Sequence, residues 1–280
     1  MKKRFQTQIF NLGMRIATIF PRSVAITIAK IILTVGFLFI PKVRAVIRKN
    51  LTYTKQKNSL GDTLKTFHNY AVYIVDLLRI PIFDKDSFKD KVEAKGLENL
   101  DKALAFNRGV VLITGHLGNW DLAGVYIASL GYPLTAVVEE IPGLSDFYNF
   151  LRSSTGMETV FMRERDKMIA SLGNNRILAL LGDRDLTGRG LKVKFLSGAK
   201  NVPRGTSSFA LKYNTVINFG YFVLNPDKKS KKLYKVEISE PFIPQNETHE
   251  ELLQIIADRL SNYIRQYPTQ WLVFRDEWIK

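Results

Sequence analysis

The chain has 280 residues, 46% of them hydrophobic and 24% charged, with a formal net charge of +15. That length suffices for one large α/β domain or two small ones, with a substantial core. With no cysteine and three histidines, the chain has no disulfide framework, thiol nucleophile or Cys-built zinc site. A His-rich metal centre is disfavoured too, and the composition fits a protein facing the cytoplasm.

The excess charge is concentrated at one end. Residues 1–58 hold twelve Lys or Arg and no Asp or Glu, and Asp62 is the first acid; the rest of the chain is close to balanced. The same segment is apolar in long pieces. Phe5, Ile9, Leu12, Ile16 and Ile19 recur at helical spacing, Pro21-Arg22-Ser23 punctuates, and 24–40 is apolar except for Thr27, Lys30, Thr34 and Gly36. Basic and apolar together point to an anionic membrane surface rather than to ordinary core. A spanning helix takes about 20 apolar residues, and a central lysine costs roughly 2.5–3.5 kcal/mol to insert. The expectation is therefore helices lying among the headgroups, with a marginal span as second choice. No small-x-small cleavage site follows the run, which disfavours a cleaved signal peptide.

A polar stretch over 52–62 precedes the helical pattern Leu64, Phe67, Ala71, Ile74, Val75 and Leu78. The predicted division is a basic membrane-associating helical segment, 1–60, and a main domain, 61–280. From residue 92 onward strand-like and helix-like runs alternate: strand 110–114 then helix 121–130, strand 134–138 then helix 144–153, strand 159–162 then helix 165–172, and strand 177–181. Such alternation predicts an α/β fold, a mostly parallel mixed sheet flanked by helices. Further strands are expected at 191–196, 216–224 and 233–238, with a helix at 207–213. Thr248 and Glu251 form a capping box that opens a last helix, which Pro268 stops.

The stretch His116-Leu-Gly-Asn-Trp-Asp121 falls between strand 110–114 and helix 121–130, so it reads as a strand-to-helix turn. On one helix, residues five apart point roughly 140° away from each other. A tight turn through Gly118 and Asn119 removes that objection and is expected to fold Asp121 onto the imidazole as its orienting acid. Ligands of open α/β sheets collect beyond the carboxyl ends of strands. Asp183-Arg184-Asp185 ends another strand, so the two clusters are expected to face one cleft.

The hexapeptide, followed by Leu-Ala-Gly, resembles the His-x4-Asp motif of the glycerophospholipid acyltransferase superfamily, in the form seen in bacterial lipid A late acyltransferases and phosphatidylinositol mannoside acyltransferases. Companions occur in the same order: Val43-Arg44 through Arg48-Lys49-Asn50-Leu51, the Asp183-Arg184-Asp185-Leu186 turn with Gly188 and Val193-Lys194-Phe195, Val202-Pro203-Arg-Gly205-Thr206, and Pro268-Thr269-Gln270-Trp271. Phe195-Leu196-Ser197-Gly198 departs from the family's Phe-Phe-Gly. The resemblance implies a glycerolipid acyltransferase-like fold and transfer of a fatty acyl group to a hydroxyl of a glycolipid, a lipid A precursor or phosphatidylinositol mannoside, at the cytoplasmic face of the bacterial inner membrane. Acyl carrier protein or acyl-CoA would be the co-substrate, with no cofactor, metal or nucleic acid. His116 would be general base and Asp121 its partner. Asn119, Arg152, Asp183, Arg184 and Asp185 are candidate substrate contacts. Quieter readings stand beside these: Asn119 as a turn residue, Arg152 as a solvated helix-end cation, and the Asp183-Arg184-Asp185 trio as a salt-bridged turn. A non-catalytic basic module binding anionic membrane or nucleic acid is the competing class. An esterase would need Gly-x-Ser-x-Gly, which does not occur.

Overall fold

The computed structural model of the protein describes residues 2–54, 58–82, 85–140, 151 and 156–279. In chain order the helices are α1 (Lys2–Ile19), α2 (Arg22–Phe39), α3 (Pro41–Thr54), α4 (Leu60–Leu78), α5 (Lys85–Lys89), α6 (Glu98–Leu104), α7 (Trp120–Ser129), α8 (Arg165–Gly173), α9 (Gly205–Tyr213) and α10 (His249–Gln266). The strands are β1 (Val92–Lys95), β2 (Val110–Thr114), β3 (Leu134–Val138), β4 (Glu158–Phe161), β5 (Ile177–Leu181), β6 (Leu191–Phe195), β7 (Gly198–Val202), β8 (Val216–Leu224) and β9 (Tyr234–Ile238).

Seven strands form one sheet in the order β1-β9-β8-β2-β5-β3-β4. β8, β2, β5, β3 and β4 run parallel, and β9 meets β8 antiparallel and carries β1 with it. The expected α/β architecture is thus the observed one. Strands buried on both faces need apolar residues at every position, and β2 reads Val-Val-Leu-Ile-Thr for that reason. Val111 and Ile113 pack on one face with α10 residues Leu252, Leu253 and Ile256. Val110 and Leu112 pack on the other with α7 residues Leu122, Val125 and Tyr126.

Differences from the sequence reading are local. β7 was not anticipated, because Gly-Ala-Lys-Asn-Val has poor strand propensity; it forms by antiparallel pairing with β6 in a separate two-stranded sheet. Residues 43–51 belong to the full helix α3. The capping box at Thr248 and Glu251 is present, with Glu251 N–H 3.2 Å from Thr248 Oγ1. The helix expected at 144–153 lies outside the described residues, apart from Leu151.

The N-terminal helices lean on α4. Ala25 and Phe37 of α2 are buried, and Phe37 meets Phe67 edge-on with ring centroids 5.1 Å apart. Arg22 binds both oxygens of Asp76 at 2.7 Å; Asp76 is fully buried and also accepts the Tyr234 hydroxyl. The opposite flank of α2 is bare, with Ile32 at 61% and Phe39 at 77% exposure. By length and mean hydropathy, 18 residues at 1.8, α2 could cross a membrane.

Candidate active site

Strand register builds the site. β2 and β5 are adjacent and parallel with Thr114 opposite Leu181, so two residues further on His116 and Asp183 leave the sheet side by side at its carboxyl edge. His116 Nδ1 lies 2.8 Å from Asp183 Oδ1, and the His116 backbone N–H donates to Asp183 Oδ2 at 3.0 Å. The Trp271 indole N–H donates to the same Oδ2 at 2.8 Å. The turn that presents the histidine requires a glycine: Gly118 sits at φ 70°, and a Cβ there would run into the Phe222 carbonyl. The turn is stitched down by Leu272 N–H to His116 O at 2.7 Å and Asn119 N–H to Phe222 O at 2.8 Å.

Asp183 is fully buried. Burial alone would raise its carboxyl, but the neighbouring His116 charge and hydrogen bond, the Lys200 charge and the Trp271 indole together bring it well below the usual carboxylate range. An ionised carboxylate only accepts, so the Nδ1 that faces Asp183 carries a hydrogen.

The ring's partner is therefore Asp183, where the sequence reading placed Asp121. The physical reason is strand order: β5 neighbours β2, whereas Asp121 is carried off on the first turn of α7. There its Oδ2 accepts the Tyr73 hydroxyl at 2.6 Å, 6% exposed. Trp120 stands edge-on to the imidazole at 4.9 Å and stacks on Tyr73 at 4.4 Å.

His116, Trp120 and Asp121 line a cavity of about 870 Å³, within the range of small-molecule sites. Its inner wall is apolar, with Leu112, Ile127 and Leu134 beside the small residues Gly124, Ala136 and Ala179. Arg165, Arg184, Arg189 and Arg204 also line it, against the carboxylates Asp121 and Glu139 among the described residues. Of the substrate contacts read from sequence, Arg184 reaches the cavity. Asp183 sits behind the imidazole, because it is fully enclosed. Asn119, 2% exposed, spends its side-chain oxygen on capping α7 at Leu122 N–H, 3.0 Å away. Asp185 closes its own loop by accepting from Thr187 N–H at 2.9 Å and Gly190 N–H at 2.6 Å. Arg152 lies outside the described residues. Sequence reading missed Tyr73 and the arginines at 165, 189 and 204, and gave Trp271 no role at the site. A tryptophan in the closing segment that resembles the family was the one available signal.

Comparison with known proteins gives the family. Residues 1–280 match the family described as bacterial lipid A biosynthesis acyltransferase. The phosphatidylinositol mannoside acyltransferase of Mycolicibacterium smegmatis is 27% identical over 219 residues, 75% of this chain and 70% of that protein. The enzyme of the same name from Mycobacterium tuberculosis is 24% identical over 224 residues, 76% of this chain and 69% of the relative. A histidine at a strand end over a large, mostly apolar cavity, in a chain matched along its whole length, leads to one conclusion: the protein is an acyltransferase of lipid biosynthesis and belongs to the bacterial lipid A biosynthesis acyltransferase family.

Proposed function

We propose that the protein is a membrane-associated O-acyltransferase that moves a fatty acyl group from acyl carrier protein or acyl-CoA to a hydroxyl of a glycolipid, with His116 as general base. The observation that carries this reading is the His116–Asp183 pair opening onto a cavity that is apolar within and edged by arginines. A hydroxyl is a weak nucleophile until a base takes its proton. His116 Nε2 accepts that proton as the oxygen attacks the thioester carbon, and Asp183 stabilises the imidazolium. The oxyanion collapses, the C–O ester bond stands, the C–S bond breaks, and the carrier's thiolate takes the proton back from His116. No side chain of the enzyme becomes acylated. Amides in the first turn of α7, or Arg184, are suited to hold the oxyanion.

The apolar wall suits an acyl chain, each buried methylene contributing about 0.8 kcal/mol. The arginines suit a phosphate-bearing donor or acceptor. The bare flank of α2 and the cations of residues 1–58 suit the cytoplasmic face of a bacterial inner membrane, where each basic residue near the surface is worth about 1 kcal/mol. Of the two acceptors that the family and its relatives carry in their names, a lipid A precursor and phosphatidylinositol mannoside, either offers the required hydroxyl.

The test is ester formation by purified protein in detergent, with acyl-CoA and acyl carrier protein thioesters tried separately against each glycolipid. Transfer that vanishes in His116→Ala supports the reading. An alanine variant with full transfer sinks it.

A further inference from the structure

Lys200 is 1% exposed, in the middle of β7. Lysine is almost never buried so deeply unless its charge is matched. Its Nζ lies 3.1 Å from Glu277 Oε2 and sits 5.3 Å, 5.6 Å and 5.8 Å from the ring centroids of Phe195, Trp271 and Trp278. Glu277 Oε1 in turn accepts from Arg184 Nε–H at 2.8 Å and pairs electrostatically with Nη2, 2.7 Å away. Trp271 joins this cage to the reaction centre, since its ring lies against Lys200 and its indole N–H donates to Asp183. The C-terminal segment is itself pinned: Trp278 Nε1–H donates to Asn50 Oδ1 at 2.7 Å, and Ile279 N–H donates to Ala199 O at 2.9 Å.

Near His116 there is thus a cluster of two carboxylates, the fully buried Asp183 and the half-buried Glu277, and two cations, the buried Lys200 and the half-buried Arg184. The four charges balance while the imidazole is neutral. A fully enclosed Asp183 carboxylate demands a counter-charge. A proton on His116 would provide one, but would occupy the lone pair that the base needs.

We propose that Lys200 is a positioning residue of the acyl transfer: its ammonium, set by the Trp271 cage and by Glu277, is the counter-charge that lets Asp183 stay ionised while His116 rests free of a proton at Nε2. This rests on the reading of His116 as general base. The depression of the Asp183 carboxyl, to which Lys200 contributes after burial and His116, runs in the same direction. The other titratable groups lining the cavity with His116, among the described residues, are Asp121 on α7 with Tyr73 on α4, Glu139 after β3, Arg165 on α8, Arg184 and Arg189 after β5, Arg204 before α9 and Tyr221 on β8.

Lys200→Met keeps the length of the chain among the aromatic rings and removes the charge. Asp183, Glu277 and Arg184 then sum to one negative charge, and the imidazole retains its proton to higher pH. At neutral pH kcat falls about tenfold or more, KM for donor and acceptor stays within about twofold, and kcat recovers as pH rises by about one to two units. Glu277→Gln leaves one excess cation, so the pH at which kcat is half-maximal moves down instead. A Lys200→Met loss of equal size at every pH, or no loss at all, overturns the inference. If that variant does not fold, Glu277→Gln decides by its sign, and an unchanged or upward midpoint refutes the proposal. His116→Ala keeps the two claims apart: if it transfers acyl groups the base assignment fails, whereas if it is dead and Lys200→Met shows the wild-type pH profile, only the role of Lys200 fails.

Discussion

Asp183→Asn is the sharpest perturbation of the reaction centre. The native carboxylate takes three donors, His116 Nδ1 at 2.8 Å, the His116 backbone N–H at 3.0 Å and the Trp271 indole at 2.8 Å. An asparagine fits the same space and keeps its oxygen on the backbone and indole donors. Its amide hydrogens then point at Nδ1, which must accept, and the ring hydrogen moves to Nε2, where the base should have its lone pair. Loss of that tautomer together with the charge that stabilises the imidazolium costs about 10³- to 10⁴-fold in kcat, or about 4–5.5 kcal/mol. The assay is ester formation by mass spectrometry at saturating donor and acceptor, with circular dichroism to verify folding. Asp121→Asn is the companion, because its carboxylate takes the Tyr73 hydroxyl at 2.6 Å rather than the ring nitrogen. An asparagine there keeps an oxygen for the Tyr73 hydroxyl, so the loss should stay within about tenfold, the scale of one neutral hydrogen bond. The reasoning fails if Asp183→Asn retains more than about a tenth of kcat, or if Asp121→Asn is the more damaging change.

Trp271→Phe deletes the indole donor while leaving a ring against Lys200, and should lower kcat about tenfold with little effect on KM, measured in the same assay. Arg22→Ala leaves the fully buried Asp76 without its cation and should cost about 3 kcal/mol or more in urea unfolding; a variant as stable as the wild type would contradict the buried ion pair. Ala179→Leu thickens the apolar wall of the cavity, so competition between donors of different length should shift toward shorter acyl chains. Flotation with anionic liposomes should weaken between about 0.1 and 1 M salt as screening tightens from about 10 Å to about 3 Å. It should not vanish, because the bare flank of α2 remains.

The strands at 110–114, 134–138, 177–181 and 216–224 were legible to the residue, because a parallel strand buried on both faces is a continuous apolar run between turn signals. His116 was legible for the same reason, since a polar motif at the end of such a run lies at the carboxyl edge. Its partner was not. Whether Asp121 or Asp183 meets the ring depends on β5 lying next to β2, a pairing across 67 residues that no local pattern encodes. Lys200 was hidden doubly: it lies on a strand of unfavourable composition, and its burial is understood only once Glu277 and the tryptophans of the C-terminal segment close over it.

The central claim is that a substrate hydroxyl, activated by His116, attacks the thioester directly. Its most direct test is a single-turnover mixture of protein, acyl thioester and glycolipid, analysed together for lipid product, free thiol and intact protein mass. The account predicts one thiol released per ester formed, no acylated protein at any time, and neither product with His116→Ala. An acyl-protein adduct that decays as the ester appears, or ester formed by the alanine variant, would contradict it.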